Sequence, residues 1–167
     1  MFDPDLDQHF LSNPAKLALL IEAAGIQPTD HVVEVGAGIG TVAERVPVCQ
    51  SLTVVEYDAG LTPQLRKRLP HARVIQGDAL AVLPTVRCDV LVSNLPSTLT
   101  PALVALLPRL DFRVALVTVP SINRLASLED SFMLQAVAVL EPDDFRPRQT
   151  VRAEIVRITR FVGGPGW

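Results

Sequence analysis

The residues best suited to chemistry in this sequence lie around a turn that is rich in glycine. An apolar run over residues 31–35 contains one acid, Glu34, and three glycines follow it at every second position: Gly36, Gly38 and Gly40. An apolar run rich in β-branched residues predicts a buried strand. Glycines directly after it let the backbone turn sharply and let a ligand approach the peptide groups closely. The pattern predicts a binding loop at the carboxyl end of a strand, where open α/β sheets bind nucleotide-like ligands.

The spacing within this loop separates two kinds of ligand. A dinucleotide loop, G-x-G-x-x-G, would place its third glycine at position 41, which is occupied by Thr41. The observed E-x-G-x-G pattern resembles the loop of Rossmann-like S-adenosylmethionine-dependent methyltransferases. Both kinds of site contain an acid about 20 residues further on that accepts hydrogen bonds from ribose hydroxyls. Glu56, at the end of the next apolar run, is in the right place for this role. A glycine turn without any ligand is the third alternative.

Two further strand ends deliver polar side chains. Asp78 follows the apolar run over residues 73–76, and Asn94 follows the run over residues 89–93. Because the carboxyl ends of parallel strands meet at one edge of a sheet, we expect both residues near the glycine loop. Taken alone, the Asn-Leu-Pro sequence at 94–96 is also typical of a structural turn after a strand.

The elements that position these residues alternate between strand and helix. Strands are predicted over residues 31–35, 52–56, 73–76, 89–93 and 114–119, and helices over 15–24, 41–46, 61–69 and 101–107. After a short helix near 123–126, two strands over 132–140 and 151–159 follow without a helix between them, so they should pair antiparallel. The sequence predicts an α/β fold with a seven-stranded mixed sheet.

Composition favours one globular domain over residues 1–160, followed by a flexible tail over 161–167. Apolar residues make up 49% of the chain and charged residues 20%, which is ordinary for a globular protein. No run approaches about 18 uninterrupted apolar residues, so no membrane span is expected. Cys49 and Cys88 are isolated, without metal-ligand spacing, and are expected to be reduced in a cytoplasmic protein.

The net charge of −3 predicts no strong electrostatic field for nucleic acid over the whole chain. Five arginines nevertheless follow position 145, against one acid, Glu154. Arginine binds phosphate well through its forked donors. Alternating arginines also form ordinary solvated faces on edge strands, so both interpretations of this basic end stay open.

Six segments, in order and at matching spacing, carry a family resemblance. The segments are Gln8-His9-Phe10-Leu11, residues 34–40, residues 55–58, residues 76–80, Asn94-Leu95-Pro96 and Phe145-Arg146-Pro147. The sequence resembles the ribosomal RNA adenine N6-dimethyltransferase family, which includes housekeeping small-subunit enzymes and macrolide-resistance methylases. The resemblance covers nearly all of residues 7–159.

The resemblance implies a Rossmann-like class I methyltransferase fold, S-adenosylmethionine as cofactor, and no metal. The cofactor residues that it implies are Gln8, His9, Phe10, Leu11, Glu34, Gly36, Gly38, Glu56, Tyr57, Asp78, Ala79 and Asn94. The catalytic residues that it implies are Asn94, Leu95, Pro96 and Phe145. The resemblance implies that Glu56 accepts hydrogen bonds from the ribose hydroxyls and that Asp78 accepts one from the adenine amino group of the cofactor.

The acceptor turn has a simple chemical logic within the same resemblance. Asn94 and the carbonyl of Leu95 would accept hydrogen bonds from a target amine and direct its lone pair towards the methyl group. Pro96 fixes φ and offers no competing donor.

Three features depart from the family pattern. Ser97 stands where the family has an aromatic residue that stacks on the target base, although Phe145 could supply a ring if it is not a core residue. The family's carboxy-terminal helical domain has no counterpart in this sequence, and the chain is mildly acidic. We expect N-methylation of adenine in RNA, with a ribosomal particle or a protein partner aiding recognition. The alternatives are a methyltransferase for small-molecule or lipid amines and a non-catalytic protein that binds S-adenosylmethionine.

Overall fold

The computed structural model describes residues 8–161. The first seven residues, and all of the predicted tail except Phe161, lie outside this range. The strands are β1 (Phe10–Leu11), β2 (His31–Val35), β3 (Ser51–Glu56), β4 (Arg73–Gln76), β5 (Val90–Ser93), β6 (Val114–Val119), β7 (Phe132–Leu140), β8 (Phe145–Arg146) and β9 (Ala153–Arg160). The α-helices are α1 (Pro14–Ala24), α2 (Thr62–Arg68), α3 (Ala79–Val82) and α4 (Thr100–Leu106).

The main sheet has seven strands in the order β4-β3-β2-β5-β6-β9-β7. The first five are parallel to one another, and β9 inserts antiparallel between β6 and β7. The predicted mixed sheet with an antiparallel terminal pair is therefore confirmed. The strand order reverses between β2 and β5, which is the point where open α/β sheets leave a crevice for a ligand.

Apolar side chains cover both faces of the sheet, as parallel strands require. Val32 and Val54 face the layer that contains α1, whereas Val33 and Leu91 face the layer that contains α4. All four side chains have no solvent exposure. Because both faces are buried, polar side chains that are to meet a ligand come from the carboxyl ends of the strands and from the loops that follow them.

Helix α1 begins and ends as the sequence predicts. The side chain of Asn13 accepts from the N–H groups of Ala15 and Lys16, at 2.9 and 3.4 Å, and Pro14 occupies the first turn. Gly25 ends the helix with a left-handed φ of 53°.

A two-stranded ribbon, which no sequence pattern predicts, joins distant parts of the chain. In it, β1 pairs antiparallel with β8, so Phe10 lies opposite Arg146. Next to the ribbon, the carbonyl of Asp144 accepts from the Ser12 and Asn13 N–H groups at 2.8 and 3.1 Å. The buried carboxylate of Asp144 also accepts from the Asn13 side chain and the Glu141 N–H. The ribbon holds residues 8–11 against the open edge of the sheet.

Some predicted elements require correction. Residues 41–46 do not form an α-helix: a turn leads into a 3-10 segment, Ala43–Arg45. Val46 is extended, with ψ of 122°, because the following Pro47 disfavours the helical conformation of the residue before it. The short helix near 123–126 is a 3-10 segment, Ile122–Leu128, and the last strand begins at Ala153 rather than at Val151.

Within residues 8–161, no helix has both the length and the apolar character needed to cross a lipid bilayer.

The Asp144 contacts predict that this side chain stabilises the ribbon. Replacing Asp144 with Ala leaves the Glu141 N–H and the Asn13 amide without their acceptor, which should lower the free energy of unfolding by about 1–3 kcal/mol. Urea denaturation measures this change. The matched control is Asp143→Ala, which removes only an exposed ion pair with Arg148 and should change stability little. Equal losses in the two variants would contradict the assignment.

Candidate active site

A cavity of about 560 Å³ opens at the carboxyl ends of the parallel strands. Eleven of the predicted site residues line it: Gln8, His9, Phe10, Gly36, Glu56, Tyr57, Asp78, Ala79, Asn94, Leu95 and Pro96. The four that do not line it are Leu11, Glu34, Gly38 and Phe145. The structure therefore brings most of the predicted cofactor and acceptor residues into one volume.

The glycine loop passes between two other parts of the site. Gly36 has φ of 70°, and a Cβ placed on it would lie 2.8 Å from the backbone carbonyl oxygen of Asn94. Gly38 has φ of 55°, and a Cβ there would overlap the ring of Phe10. Both positions therefore require glycine for conformation and for space. The loop fills the gap between the end of β5 and β1.

The carboxylate of Glu56 is held by two main-chain donors. Its Oε2 accepts from the Gly38 N–H at 2.7 Å and its Oε1 accepts from the Asp58 N–H at 2.8 Å. The residue is 6% exposed and lines the cavity. A carboxylate oxygen accepts about two hydrogen bonds, so each oxygen keeps capacity for a donor in the cavity. This arrangement suits a pair of neighbouring hydroxyl groups.

Asp78 presents an acceptor on the other side of the cavity. Its Oδ1 accepts from the Leu80 N–H at 2.9 Å and caps α3. Its Oδ2 has no hydrogen-bond partner in the part of the chain that the structure describes. The capping bond fixes the carboxylate orientation, and the remaining oxygen is suited to an amino group.

The turn after β5 forms the part of the cavity wall that the sequence predicts to contact the acceptor, here called the acceptor end. The Asn94 N–H donates to the Val35 carbonyl at 3.1 Å, which joins this turn to the end of β2. The Asn94 side chain lines the cavity and makes no hydrogen bond to another described residue. Pro96 follows with φ of −51°, and its carbonyl accepts from the Leu99 N–H at 2.9 Å. The turn therefore leaves the amide of Asn94 available to a ligand.

Residues 8–10 form a third wall. Gln8 donates through Nε2 to Asp58 at 3.0 Å, while its buried Oε1 has no partner among the described residues. A ring nitrogen of His9 is 3.1 Å from the carbonyl oxygen of Pro147. Leu11 is buried beneath this wall, and its carbonyl accepts from the Thr41 hydroxyl at 2.8 Å.

The acceptor end also includes residues that the sequence analysis missed. Ser97, which the sequence analysis singles out, lines this end, and the residues not predicted are Thr98, Leu99, Thr118, Val119, Pro120, Gln149, Thr150, Val151, Arg152 and Ala153. The Oε1 atom of Gln149 is buried and has no partner among residues 8–161. No motif marks the run 149–153, because it reaches the site only through the position of β9 beside β6.

The expectation that Phe145 offers a ring to a target base needs correction. Its side chain has no solvent exposure and packs in the core with Leu11. Pairing of β8 with β1 turns this ring inwards, so it does not line the cavity. The core alternative holds.

Glu34 lies directly below the loop and is fully buried. Its Oε2 has no hydrogen-bond partner in the described part of the chain. Burial, and then the negative charge of Glu56, raise the pKa of Glu34 to about 8, although the Ala43 N–H favours the charged form. Glu34 therefore acts as a mostly neutral support for the loop rather than as a wall of the cavity.

The fold of this chain is the Rossmann-like fold found in methyltransferases. The structure superposes on a dimethyladenosine transferase from Plasmodium falciparum with a TM-score of 0.81 and 22% identity, covering 91% of this chain and 63% of that one. It superposes on the 23S rRNA methyltransferase ErmE with a TM-score of 0.82 and 22% identity, covering 92% and 70%.

Sequence comparison then identifies the family. The model for the ribosomal RNA adenine dimethylase family matches residues 1–121, so the chain belongs to that family. A dimethyladenosine transferase of Chaetomium thermophilum is 28% identical over 97% of this chain and 48% of its own length. A probable ribosomal RNA small subunit methyltransferase A of Methanosarcina mazei is 37% identical over 65% of this chain and 41% of its own length. The chain thus spans about half the length of these curated relatives.

The buried carboxyl predicts a pH-dependent stability. From about pH 4.5 to about pH 8, folded Glu34 holds a proton that the unfolded chain has lost, so its contribution to stability falls as the pH rises through this interval. A Glu34→Gln variant cannot titrate there. The unfolding free energy of the variant relative to the natural chain should therefore increase from about pH 5 to about pH 8, as measured by urea denaturation.

A matched control isolates this effect. The same change at Glu22, which is exposed on α1, should leave the pH profile unchanged. If the difference between Glu34→Gln and the natural chain does not vary with pH, Glu34 is not the titrating group.

Proposed function

We propose that this protein is an S-adenosylmethionine-dependent N-methyltransferase that acts on adenine in ribosomal RNA. The observation that carries the proposal is the meeting of two chemistries in one cavity. Oriented carboxylates of Glu56 and Asp78 line one part, and the Asn94 turn lines the adjoining part. Such a cavity accommodates a nucleoside cofactor beside an amine acceptor.

The residues present fit this cofactor. The spare lone pairs of Glu56 suit ribose hydroxyls, and the free Oδ2 of Asp78 suits the adenine amino group. A Cβ on Gly36 would lie too close to Asn94, so this passage stays narrow and lined by main chain. The Gln8 amide oxygen, buried without a described partner, adds an acceptor on the wall that covers the cavity.

The chemistry then depends on positioning. The bound cofactor supplies a methyl group on a positively charged sulfur. The Asn94 side-chain oxygen and the Leu95 carbonyl would hold the N–H groups of the target amine and point the nitrogen lone pair at the cofactor side of the cavity. Pro96 keeps the turn in this shape through its fixed φ.

Adenine in RNA is the preferred acceptor because the chain belongs to the ribosomal RNA adenine dimethylase family. One of the relatives described above is named a dimethyladenosine transferase, and the other is named a probable ribosomal RNA small subunit methyltransferase A. A second candidate is a small-molecule amine, favoured by one observation: position 97, where the family pattern has an aromatic residue, is an exposed serine that lines the cavity. A small amine needs no stacking surface.

The cofactor assignment predicts a binding defect. Glu56→Ala should weaken S-adenosylhomocysteine binding by at least about 1–3 kcal/mol, because the ribose donors lose a buried acceptor. Isothermal titration calorimetry measures the affinity, and Glu22→Ala provides the control on an exposed helix position. A thermal melt of each variant separates loss of binding from loss of fold. Unchanged affinity in a folded Glu56→Ala protein would reject the ribose assignment.

The acceptor assignment predicts a catalytic defect with binding intact. Asn94→Ala should lower kcat by about 100- to 1000-fold, since an oriented acceptor at the reacting amine is removed. Cofactor affinity should change far less. The assay follows labelled methyl transfer to ribosomal subunits, to total RNA and to a small-molecule extract, and Asn123→Ala is the control on an exposed position.

The three substrates distinguish the candidate functions. Labelled adenine in RNA supports the proposal, and label confined to the small-molecule extract supports the second candidate. Cofactor binding without transfer to any substrate would instead indicate a non-catalytic binding protein.

A further inference from the structure

A second concave surface adjoins the acceptor end of the active-site cavity. It is a groove of about 780 Å³ between α4 and the 3-10 segment Ile122–Leu128. Ser97, Thr98 and Pro120 line both the groove and the cavity, so the two are continuous. A polymer whose target nucleotide entered the cavity would pass next over this groove.

The groove carries one charged side chain, the guanidinium of Arg124. Arg124 is exposed and makes no side-chain hydrogen bond or ion pair with any residue in the described range. The remaining lining side chains are apolar or carry hydroxyl groups, those of Ser97, Thr98, Thr100 and Ser127, and none is acidic. Glu154, on strand β9, accepts from the Ile122 N–H at 2.6 Å and so faces the main chain.

This free guanidinium contrasts with two other arginines, of which Arg152 also lines the cavity. Arg152 forms an ion pair with Glu141 at 2.8 Å. Arg148, close to it in sequence, pairs with Asp143 at 2.6 Å. Arg124 differs from both of these arginines in having no carboxylate partner among residues 8–161.

We propose that the Arg124 groove binds the phosphodiester backbone of the acceptor RNA next to the target nucleotide. Arginine presents several N–H donors in a planar fork that matches a phosphate. The hydroxyls of Ser97, Thr98 and Ser127 offer further donors along the same path. The inference rests on the proposed function, since it assigns the path of the RNA that enters the same cavity.

The groove gives an acidic chain a local means of holding RNA. The net charge of −3 offers no general attraction, but phosphate binding depends on local cations and released counterions. Loss of one phosphate contact should change the slope of log K against log salt concentration by about one.

The test measures binding of transcribed, unmodified small-subunit ribosomal RNA to the full chain between about 50 and 200 mM salt, with S-adenosylhomocysteine present. Arg124→Gln should weaken binding about 3- to 10-fold at the lower salt and reduce the slope of log K against log salt by about 0.7–0.9. Arg124→Lys should retain the slope because it keeps the charge. The matched control, Arg66→Gln, removes an exposed cation of α2 that lines neither concavity and should leave binding unchanged.

The outcomes separate this inference from the proposed function when labelled methyl transfer to the same RNA is measured in parallel. If Arg124→Gln binds RNA like Arg66→Gln while the natural chain methylates it, the groove assignment is overturned and the function stands. If Arg124 governs RNA binding but no transfer occurs, the groove stands and the function fails.

A second ligand identifies the source of the phosphate. Competition by adenosine monophosphate that depends on Arg124, together with RNA binding that does not, would assign the groove to a small phosphorylated acceptor and overturn the RNA assignment. We expect adenosine monophosphate to compete weakly in all variants. RNA binding should depend on Arg124.

Discussion

The site depends on one buried carboxylate that binds two stretches of main chain. Glu56 ends β3 and accepts from the Gly38 and Asp58 N–H groups, so it joins the glycine loop of β2 to the loop after β3. A buried carboxylate is costly unless it is hydrogen-bonded, so folding of the sheet forces both loops into this arrangement. Phe10 then packs on Gly38 and Gln8 reaches Asp58, and these contacts complete the wall over the cavity.

A second acid beside the first solves a different physical problem. Glu34 is as deeply buried as Glu56, yet one of its oxygens has no described partner, and its pKa is raised to about 8. Two adjacent charges in this interior would repel each other. The neutral form of Glu34 therefore lets the charged Glu56 keep its main-chain donors. The E-x-G-x-G pattern thus places a neutral support, Glu34, below the loop whose main chain Glu56 holds.

Much of the site was predictable from the sequence, because its residues lie at the carboxyl ends of parallel strands. Asp78 and Asn94 follow apolar runs, and parallel pairing brings such positions together whatever lies between them. The ribbon of β1 and β8 was not predictable, since each strand has two residues and its partner is more than a hundred positions away. The helix predicted over 41–46 does not form, because Pro47 disfavours the helical conformation of Val46 before it. No sequence motif surrounds Arg124. Its proposed role depends on the groove, which forms only when α4 packs beside the 3-10 segment Ile122–Leu128.

The pairing of Phe10 with Arg146 sets the order in which the protein can be completed. Residues 8–11 leave the ribosome before their hydrogen-bonding partners, which are made after the strands β2 to β7. The contacts that close this loop have a large separation along the chain, which slows folding relative to local contacts. The central strands can associate earlier in synthesis, whereas the wall beside Glu56 forms only after β8 has been made. A product cut short before residue 144 would therefore keep the glycine loop without its cover.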